Sequence, residues 1–473
     1  MRVAFLALFA VIGWQDPAAL VKNLGSARFA EREDAETALR KLGRDALPAL
    51  RKGAVDADLE IRTRAGAILS EIVSRLMVEP TLVRLDFRDQ TVSDVVRSLS
   101  EQSLINLTLM PEDHPLWREK RVSLEASDPV PLWEALERLC QSAEVQIGTS
   151  GIQMMVVNGQ PARTSAIYLQ PASELPAPSA ISGAFRASVM NVQHQKNRMF
   201  GQGQAGMVVN PNGVILRRDQ RPAEPAEAVT RSNIAGFTTE VFSVGIQVSA
   251  EPRMSIVLNG PVQVLEAVDE QGRSLAIPED PSAAPRHSAM GGYSPFGGPL
   301  LQFQVPLRLP ATPGASVKTL RLSIPVVAAA RKDDPFVVPL ADAKGKTFED
   351  ERIIVQIHDV RPDPNRRSTT IELTVRIRSD DSGNPNLGRQ APEALVFRNN
   401  AGGGQNQFEI VDAQGRAYTQ WISPNPQPGK EGLRMTLRLA ETEGVGPPAE
   451  LRYYNIARTE TEVTFELSEI PMP

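Results

Sequence analysis

A single cysteine, Cys140, stands among 473 residues, so no disulfide can form within the chain and no zinc site can rest on thiolates. There are four histidines, His114, His194, His287 and His358, and no two have the spacing of a His-Glu-x-x-His helix or another zinc pair. Each reads as a surface or strand residue. Aromatics make up 5% of the chain, few for a sugar-binding cleft, and Trp421 is the one tryptophan of the C-terminal half. Fifty-one basic residues against 56 acidic ones exclude a nucleic-acid binder that works through bulk positive charge. Neither a Gly-x-Ser-x-Gly elbow nor a Gly-x-x-x-x-Gly-Lys phosphate loop is present. Gly201-Gln202-Gly203-Gln204-Ala205-Gly206 has the glycines of a dinucleotide loop without a strand before it or a helix after it, and reads as an insertion. Asp380-Asp381-Ser382-Gly383-Asn384 offers oxygen atoms to calcium, yet lacks the alternate ligand spacing and the distal Glu of an EF-hand loop. It reads as a solvated turn. Cys140 falls on the apolar stripe of a helix, where a buried, inert thiol is expected. No catalytic, cofactor-binding or metal-binding residue emerges, and the chain reads as non-enzymatic.

Long apolar runs are also missing, apart from Val3 to Ile12 behind Met1-Arg2. One positive charge, about ten apolar residues and the small Gly13 make a secretory signal pattern over 1–13, the alternative being a buried N-terminal element. The run is too short for a bilayer, which needs roughly twenty residues. The expectation is export to the periplasm or cell envelope with no integral membrane span. Apolar residues at 41% suffice for folded cores, and 33 glycines with 38 prolines point to many turns.

Residues 17–78 carry helical spacing, with Ala35, Ala38, Leu39 and Leu42 in one segment and Ile61, Ala65, Ile68, Leu69 and Ile72 in another. Arg32, Ala35 and Leu39 recur thirty positions later as Arg62, Ala65 and Leu69. Helix pairs at this period resemble HEAT repeats. Two such units leave an unburied face, so packing on a neighbour or partner is expected.

The period changes at residue 80. Val83, Leu85 and Phe87 alternate as a strand, and Thr91-Val92-Ser93-Asp94 makes a capping phrase before a helix with Val92, Val95, Val96 and Leu99 inward. Ile105, Leu107 and Leu109, then Val122 and Leu124, read as two more strands. Pro131 suits the first turn of a second helix, whose stripe is Leu132, Ala135, Leu136, Leu139 and Cys140. Val145 and Ile147 with Ile152, Met154 and Val156 read as a closing hairpin that turns near Ser150-Gly151. The order over 80–158 is β-α-β-β-α-β. Leu85-Asp86-Phe87-Arg88-Asp89-Gln90-Thr91-Val92, Leu99-Ser100-Glu101-Gln102-Ser103 and Pro131-Leu132-Trp133-Glu134-Ala135-Leu136 resemble the short N-terminal domain of secretins and TonB-dependent transducers. That resemblance covers about a sixth of the chain. It implies a module that binds other envelope proteins and has no catalytic residues. The loop from Pro111 to Lys120 is longer than the family's pattern, and nothing downstream looks like a secretin pore.

The Pro-rich stretch 170–180 reads as a semi-extended linker. Beyond it everything alternates with period two, as in antiparallel sheets with one wet face. The β half looks duplicated. Val268-Asp269-Glu270-Gln271-Gly272-Arg273 matches Val411-Asp412-Ala413-Gln414-Gly415-Arg416, and the shared Gly calls for positive φ in a hairpin turn. Val192 and Asn197-Arg198 match Val360 and Asn365-Arg366. Leu307-Arg308-Leu309 is set against Leu437-Arg438-Leu439, and Leu320-Arg321-Leu322 against Leu451-Arg452-Tyr453. Two β-sandwiches are expected, 181–340 and 347–473, the first with mobile insertions from Met199 to Gly236 and from Pro278 to Pro299. The fold class is therefore multidomain α+β, with a helical repeat unit, a mixed module and two antiparallel sandwiches. The functional expectation is docking to an envelope protein through the α/β module and its flanking helices. A carbohydrate-binding protein or hydrolase that uses the sandwich loops, and a structural subunit of an export or envelope assembly, are the alternatives.

Overall fold

The computed structural model describes residues 16–148, 155–157, 160–162, 166–172, 177–199, 207–209, 215–217, 237–277, 300–310, 312–332, 335–350, 353–363, 365, 367–377, 408–418, 421–422, 427–429, 432–441, 444–454 and 456–472. The signal segment 1–13, His287, the glycines from Gly201 to Gly206, and Asp380–Asn384 lie outside them. The chain is mixed α+β, and nearly all its strand pairs are antiparallel. Among the described residues no helix is long and apolar enough to cross a membrane. There are two compact units. One holds the described residues up to Glu79 with Ala328–Pro335 and Tyr454–Thr459, and the other holds Pro80–Val327, Phe336–Tyr453 and Glu460–Pro473.

In the first unit the thirty-residue period is a structural repeat. Helices α1 (Pro17–Asn23) and α2 (Phe29–Leu42) are followed by a 3-10 turn (Gly43–Ala46), then by α3 (Leu47–Gly53) and α4 (Leu59–Val78). Arg32 Nη1 donates to the Ser26 carbonyl at 2.7 Å, and thirty residues on Arg62 Nη1 donates to the Asp56 carbonyl at 2.6 Å. Gly53 lets the repeats approach, because a Cβ there would lie 2.6 Å from Val21 Cγ1. Leu24, Leu39, Leu50, Ala65, Ile68 and Ile72 close the core. Arg64 bridges Glu33, Glu36 and Glu60, and Arg40 bridges Glu36 and Glu71, so the outer faces of α2 and α4 are laced by one ionic network.

The second unit opens with the α/β module. Its elements are β1 (Leu82–Val83), β2 (Asp86–Thr91), α5 (Val92–Ser103), β3 (Asn106–Leu109), α6 (Leu116–Glu119), β4 (Arg121–Glu125), β5 (Val130–Pro131), α7 (Leu132–Ala143), β6 (Val145–Ile147), β7 (Met155–Val157), β8 (Gln160–Ala162) and β9 (Ala166–Pro171). β1 pairs with β5 and β2 with β4, both antiparallel. β9 runs between β3, to which it is parallel, and β6. Here the structure departs from the expected closing hairpin. The partner of β6 is β9, whose Ile167 and Leu169 are buried in the module core, while β7 pairs with β8. The stretch read as a linker from 170 is accordingly strand at both described ends, because Pro171 ends β9 and Pro178 precedes β10, where no ladder N–H is needed.

The β half comprises β10 (Ser179–Ser182), β11 (Phe185–Met199), β12 (Met207–Val209), β13 (Ile215–Arg217), β14 (Phe237–Ala250), β15 (Met254–Leu258), β16 (Gln263–Asp269), β17 (Leu300–Leu307), β18 (Ser316–Arg331) and β19 (Phe336–Pro339). Then come β20 (Thr347–Glu349), β21 (Ile353–Asp363), β22 (Ser368–Ile377), β23 (Phe408–Asp412), β24 (Trp421–Ile422), β25 (Gln427–Gly429), β26 (Gly432–Ala440), β27 (Pro448–Tyr453) and β28 (Ile456–Pro471). One sheet, β10-β11-β14-β17, has its counterpart in β20-β21-β22-β26, and the pairing β16–β18 has its counterpart in β23–β27. Even the bulge recurs, between Val189 and Asn191 in one copy and between Ile357 and Asp359 in the other. In the second copy Ile353, Val355, Leu373, Leu437, Ile410 and Leu451 bring both sheets onto one core.

Two details differ from the sequence alignment. By sheet register Leu307 corresponds to Leu439, because Gly245 faces Gln304 where Glu372 faces Thr436. The Leu-Arg-Leu phrases had been set two residues out, a slip that leaves the alternation unchanged. The copies also exchange edges. β19, expected in the first, pairs with β27, and the closing strand β28, expected in the second, pairs with β18.

The matched turns carry the same hydrogen bonds. Asp269 Oδ1 accepts from the backbone N–H groups of Gln271 (3.0 Å) and Arg273 (2.8 Å), and its Oδ2 accepts from Arg273 Nε (2.6 Å). Asp412 accepts from Gln414, Arg416 and Arg416 Nε at 2.9, 2.8 and 2.7 Å, and also from the Gly446 N–H at 2.8 Å. Gly272 and Gly415 hold φ of +76° and +79°, as the turn requires. Burial alone would push both carboxyls up, but the donors outweigh it: Asp269 is held below the ordinary range and Asp412 at about 2. Because the unfolded carboxyl takes up its proton first, the Asp412 contribution is full above about pH 4 and is lost as pH falls towards about 2. The stability gap between the wild type and Asp412→Asn, from urea unfolding at stepped pH, should therefore shrink across that window. A gap that stays constant from pH 6 to pH 2 would refute the assignment.

Candidate docking site

The α/β module is built on one core, with β3 and β6 as the edges of its three-stranded sheet. Val92, Val95, Val96 and Leu99 of α5 and Leu132, Leu136 and Leu139 of α7 are buried in a single core with Val83, Leu85, Phe87, Val122 and Leu124. Thr91 caps α5 by accepting from the Asp94 N–H at 3.2 Å, and the Asp94 carboxylate takes the Thr91 hydroxyl at 2.7 Å. Pro131 stands one position ahead of α7, at its N-cap. The loop after Met110 is anchored by Trp117, which is buried and donates to the Pro111 carbonyl at 2.6 Å.

Strand–helix–strand recurs within the module. α5 and α7 each end on a left-handed non-glycine residue, Leu104 (φ 56°) and Glu144 (φ 57°), that turns the chain into β3 or β6. Glu144 forms an ion pair with Lys120 at 2.7 Å, which keeps its carboxyl low. Leu104 differs: it is 92% exposed in a conformation that costs an L-residue roughly 1–2 kcal/mol. It adjoins β3, which among the described residues has β9 as its one strand partner. Periodicity reports neither the exposure nor the φ, so sequence reasoning passed over Leu104.

A second missed feature is the junction between the module and the first β copy. Glu251, fully buried after β14, accepts from the Thr81 N–H at 2.8 Å, the Thr81 hydroxyl at 2.6 Å and Arg253 Nε at 2.7 Å. Trp133 Nε1 donates to the Ala184 carbonyl at 3.1 Å, which also accepts from the Glu251 N–H at 3.0 Å. Glu137 of α7 accepts from Arg186 Nε at 2.6 Å and from the Ser179 hydroxyl at 2.8 Å. Exchanging Glu251 for Ala leaves three partly buried donors without their acceptor, and it should cost about 2–3 kcal/mol in urea unfolding. Retention of full stability would show the junction to be incidental.

The residues weighed for chemistry do not converge. His114 tilts against Trp117 at 5.8 Å, His358 Nε2 is 2.7 Å from Thr374 Oγ1, and His194 lies on β11. Among the described residues no three His, Cys, Asp or Glu side chains form a metal-holding group. Cys140 is partly buried against the module core, and burial, reinforced by the Glu137 charge, pushes its thiol up to about 12. In the native protein at pH 8 a disulfide reagent should therefore react at least a hundredfold more slowly than in the urea-unfolded chain. Equal rates would contradict this burial. Compared with known proteins, the chain matches no family model, no curated relative and no solved structure.

Proposed function

We propose that the protein is a non-enzymatic, exported docking protein of the cell envelope, in which HEAT-like helices and a secretin/TonB short N-terminal-like module precede two β-sandwiches. The observation that carries this reading is Leu104, an exposed leucine in a strained conformation at the start of an edge strand. Strain without a packing role points to contact with something outside the chain. An edge strand supplies backbone hydrogen bonds to an added strand, and an exposed apolar side chain beside it supplies selectivity. The fixed junction at Glu251 and Trp133 suits such a role, because it holds the edge at a set orientation on the first sandwich.

The test uses the full-length protein in its producing cells, with a photo-cross-linking residue at Thr108 on β3. An adduct with one envelope protein is expected, weakened at least tenfold by Leu104→Gly. Because glycine accepts positive φ freely, that variant should lose no stability in urea unfolding. Absence of an adduct, or an adduct indifferent to Leu104→Gly, would count against docking at this edge.

A further inference from the structure

The two β copies present the same sheet face in two states, one covered and one open. In the first copy, the face of β11, β14 and β17 that points away from the core carries Ser188, Ser243, Gln247 and Ser249, all buried. Its one cation there, Arg186, is buried as well, and α7 reaches it with the Glu137 carboxylate 2.6 Å from Arg186 Nε. Ser179, on the adjoining β10, shares that carboxylate.

The register transfers this arrangement to the second copy residue by residue. Ser179 faces Ser188 as Thr347 faces Gln356, so the hydroxyl is kept. Arg186 faces Ser249 as Ile354 faces Arg376, so the arginine is kept in the same row, one strand over. At other positions of the face charge is added. Arg434 and Arg438 on β26 stand where the first copy has Gln302 and Pro306, and Arg361 stands where it has Gln193. The carboxylates on this face are already engaged: Asp359 by Lys344 and Arg361, and Glu372 by Arg361 and Arg434. With Glu349 on β20 and Asp363 on β21 included, five cations meet four carboxylates. Arg376 and Arg438 are exposed and have no carboxylate partner among the described residues.

We propose that the outer face of β21, β22 and β26 is a docking surface for an acidic helix of a partner protein, seated as α7 is seated on the first copy. The first copy shows the mode of binding, a helix carboxylate shared by one arginine and one hydroxyl of neighbouring strands. The surplus of cations on the open copy sets the sign of the helix. This surface is separate from the β3 edge, so either can fail without the other.

The test measures fluorescence anisotropy of a labelled peptide with the α7 sequence, residues 131–144 with Cys140→Ser, titrated with the full-length protein. Saturable binding is expected. It should weaken at least tenfold with Arg376→Glu plus Arg438→Glu in the protein, and equally with Glu134→Gln plus Glu137→Gln in the peptide. Arg44→Glu plus Lys52→Glu, on the other unit, gives the same net charge and should leave binding unchanged. No binding, or binding that ignores the first pair, overturns the proposal. So does heparin binding to this face in place of the peptide, which would mark a polyanion surface.

Discussion

A carboxylate can be taken out of water only where N–H groups and cations replace the water it loses. Glu251, Asp269 and Asp412 all meet that condition at the end of a β-strand, and the architecture of the second unit turns on them. Asp269 and Asp412 each fold a strand back through a tight turn by gathering two backbone N–H groups and an arginine that the same turn supplies. Glu251 uses the same chemistry across a longer distance in sequence, reaching Thr81 some 170 residues upstream. Removing water from these carboxylates makes them directional, since each accepts bonds only from donors that the fold has put in position.

The turn clasps were legible in the sequence because both halves of each interaction lie within five residues. Asp, Gln, Gly and Arg at fixed spacing are enough to recognise the turn and its required glycine. The Glu251 junction was not, since nothing local marks a glutamate that will meet Thr81 and Arg253. In the helical unit the apolar spacing picked out positions that are buried: Ala35, Leu39, Ala65, Ile68 and Ile72. What failed was the assignment of partners. Alternation announces β28 as a strand but says nothing of the sheet it joins, and it singles out neither β9 nor β19. Proximity in sequence then pointed to the wrong neighbour. The two-residue slip at Leu307 has the same origin, since a shift by one full period restores the same faces.

The exchange of β19 and β28 also has a mechanical meaning. Each β copy has one edge completed by a strand whose chain continues directly from the other copy's sheet. Met472 donates to the Ala315 carbonyl at 2.9 Å, and Ser316 contacts Glu469 at 3.3 Å, so the last residues of the chain are fastened to the first copy. Neither copy is complete without chain from beyond the other, and unfolding of one removes an edge from its twin. Two domains joined by a linker would melt separately, whereas reciprocal edges favour a shared transition.

Comparison of the two copies then separates what the fold needs from what it does not. The bulge, the buried alternation and the Asp clasp persist in both copies, which is the pattern expected of groups held by packing and desolvation. The outward face carries no such constraint, and there the copies part: hydroxyls and amides under cover in one, arginines in the open in the other. A buried face tolerates few charges, and Arg186 remains on it only because Glu137 meets it. Once that face lacks a cover, the desolvation cost disappears and charge can accumulate. The arginines on the second copy are thus a consequence of exposure, and the hydroxyls and amides of the first a consequence of what lies on it.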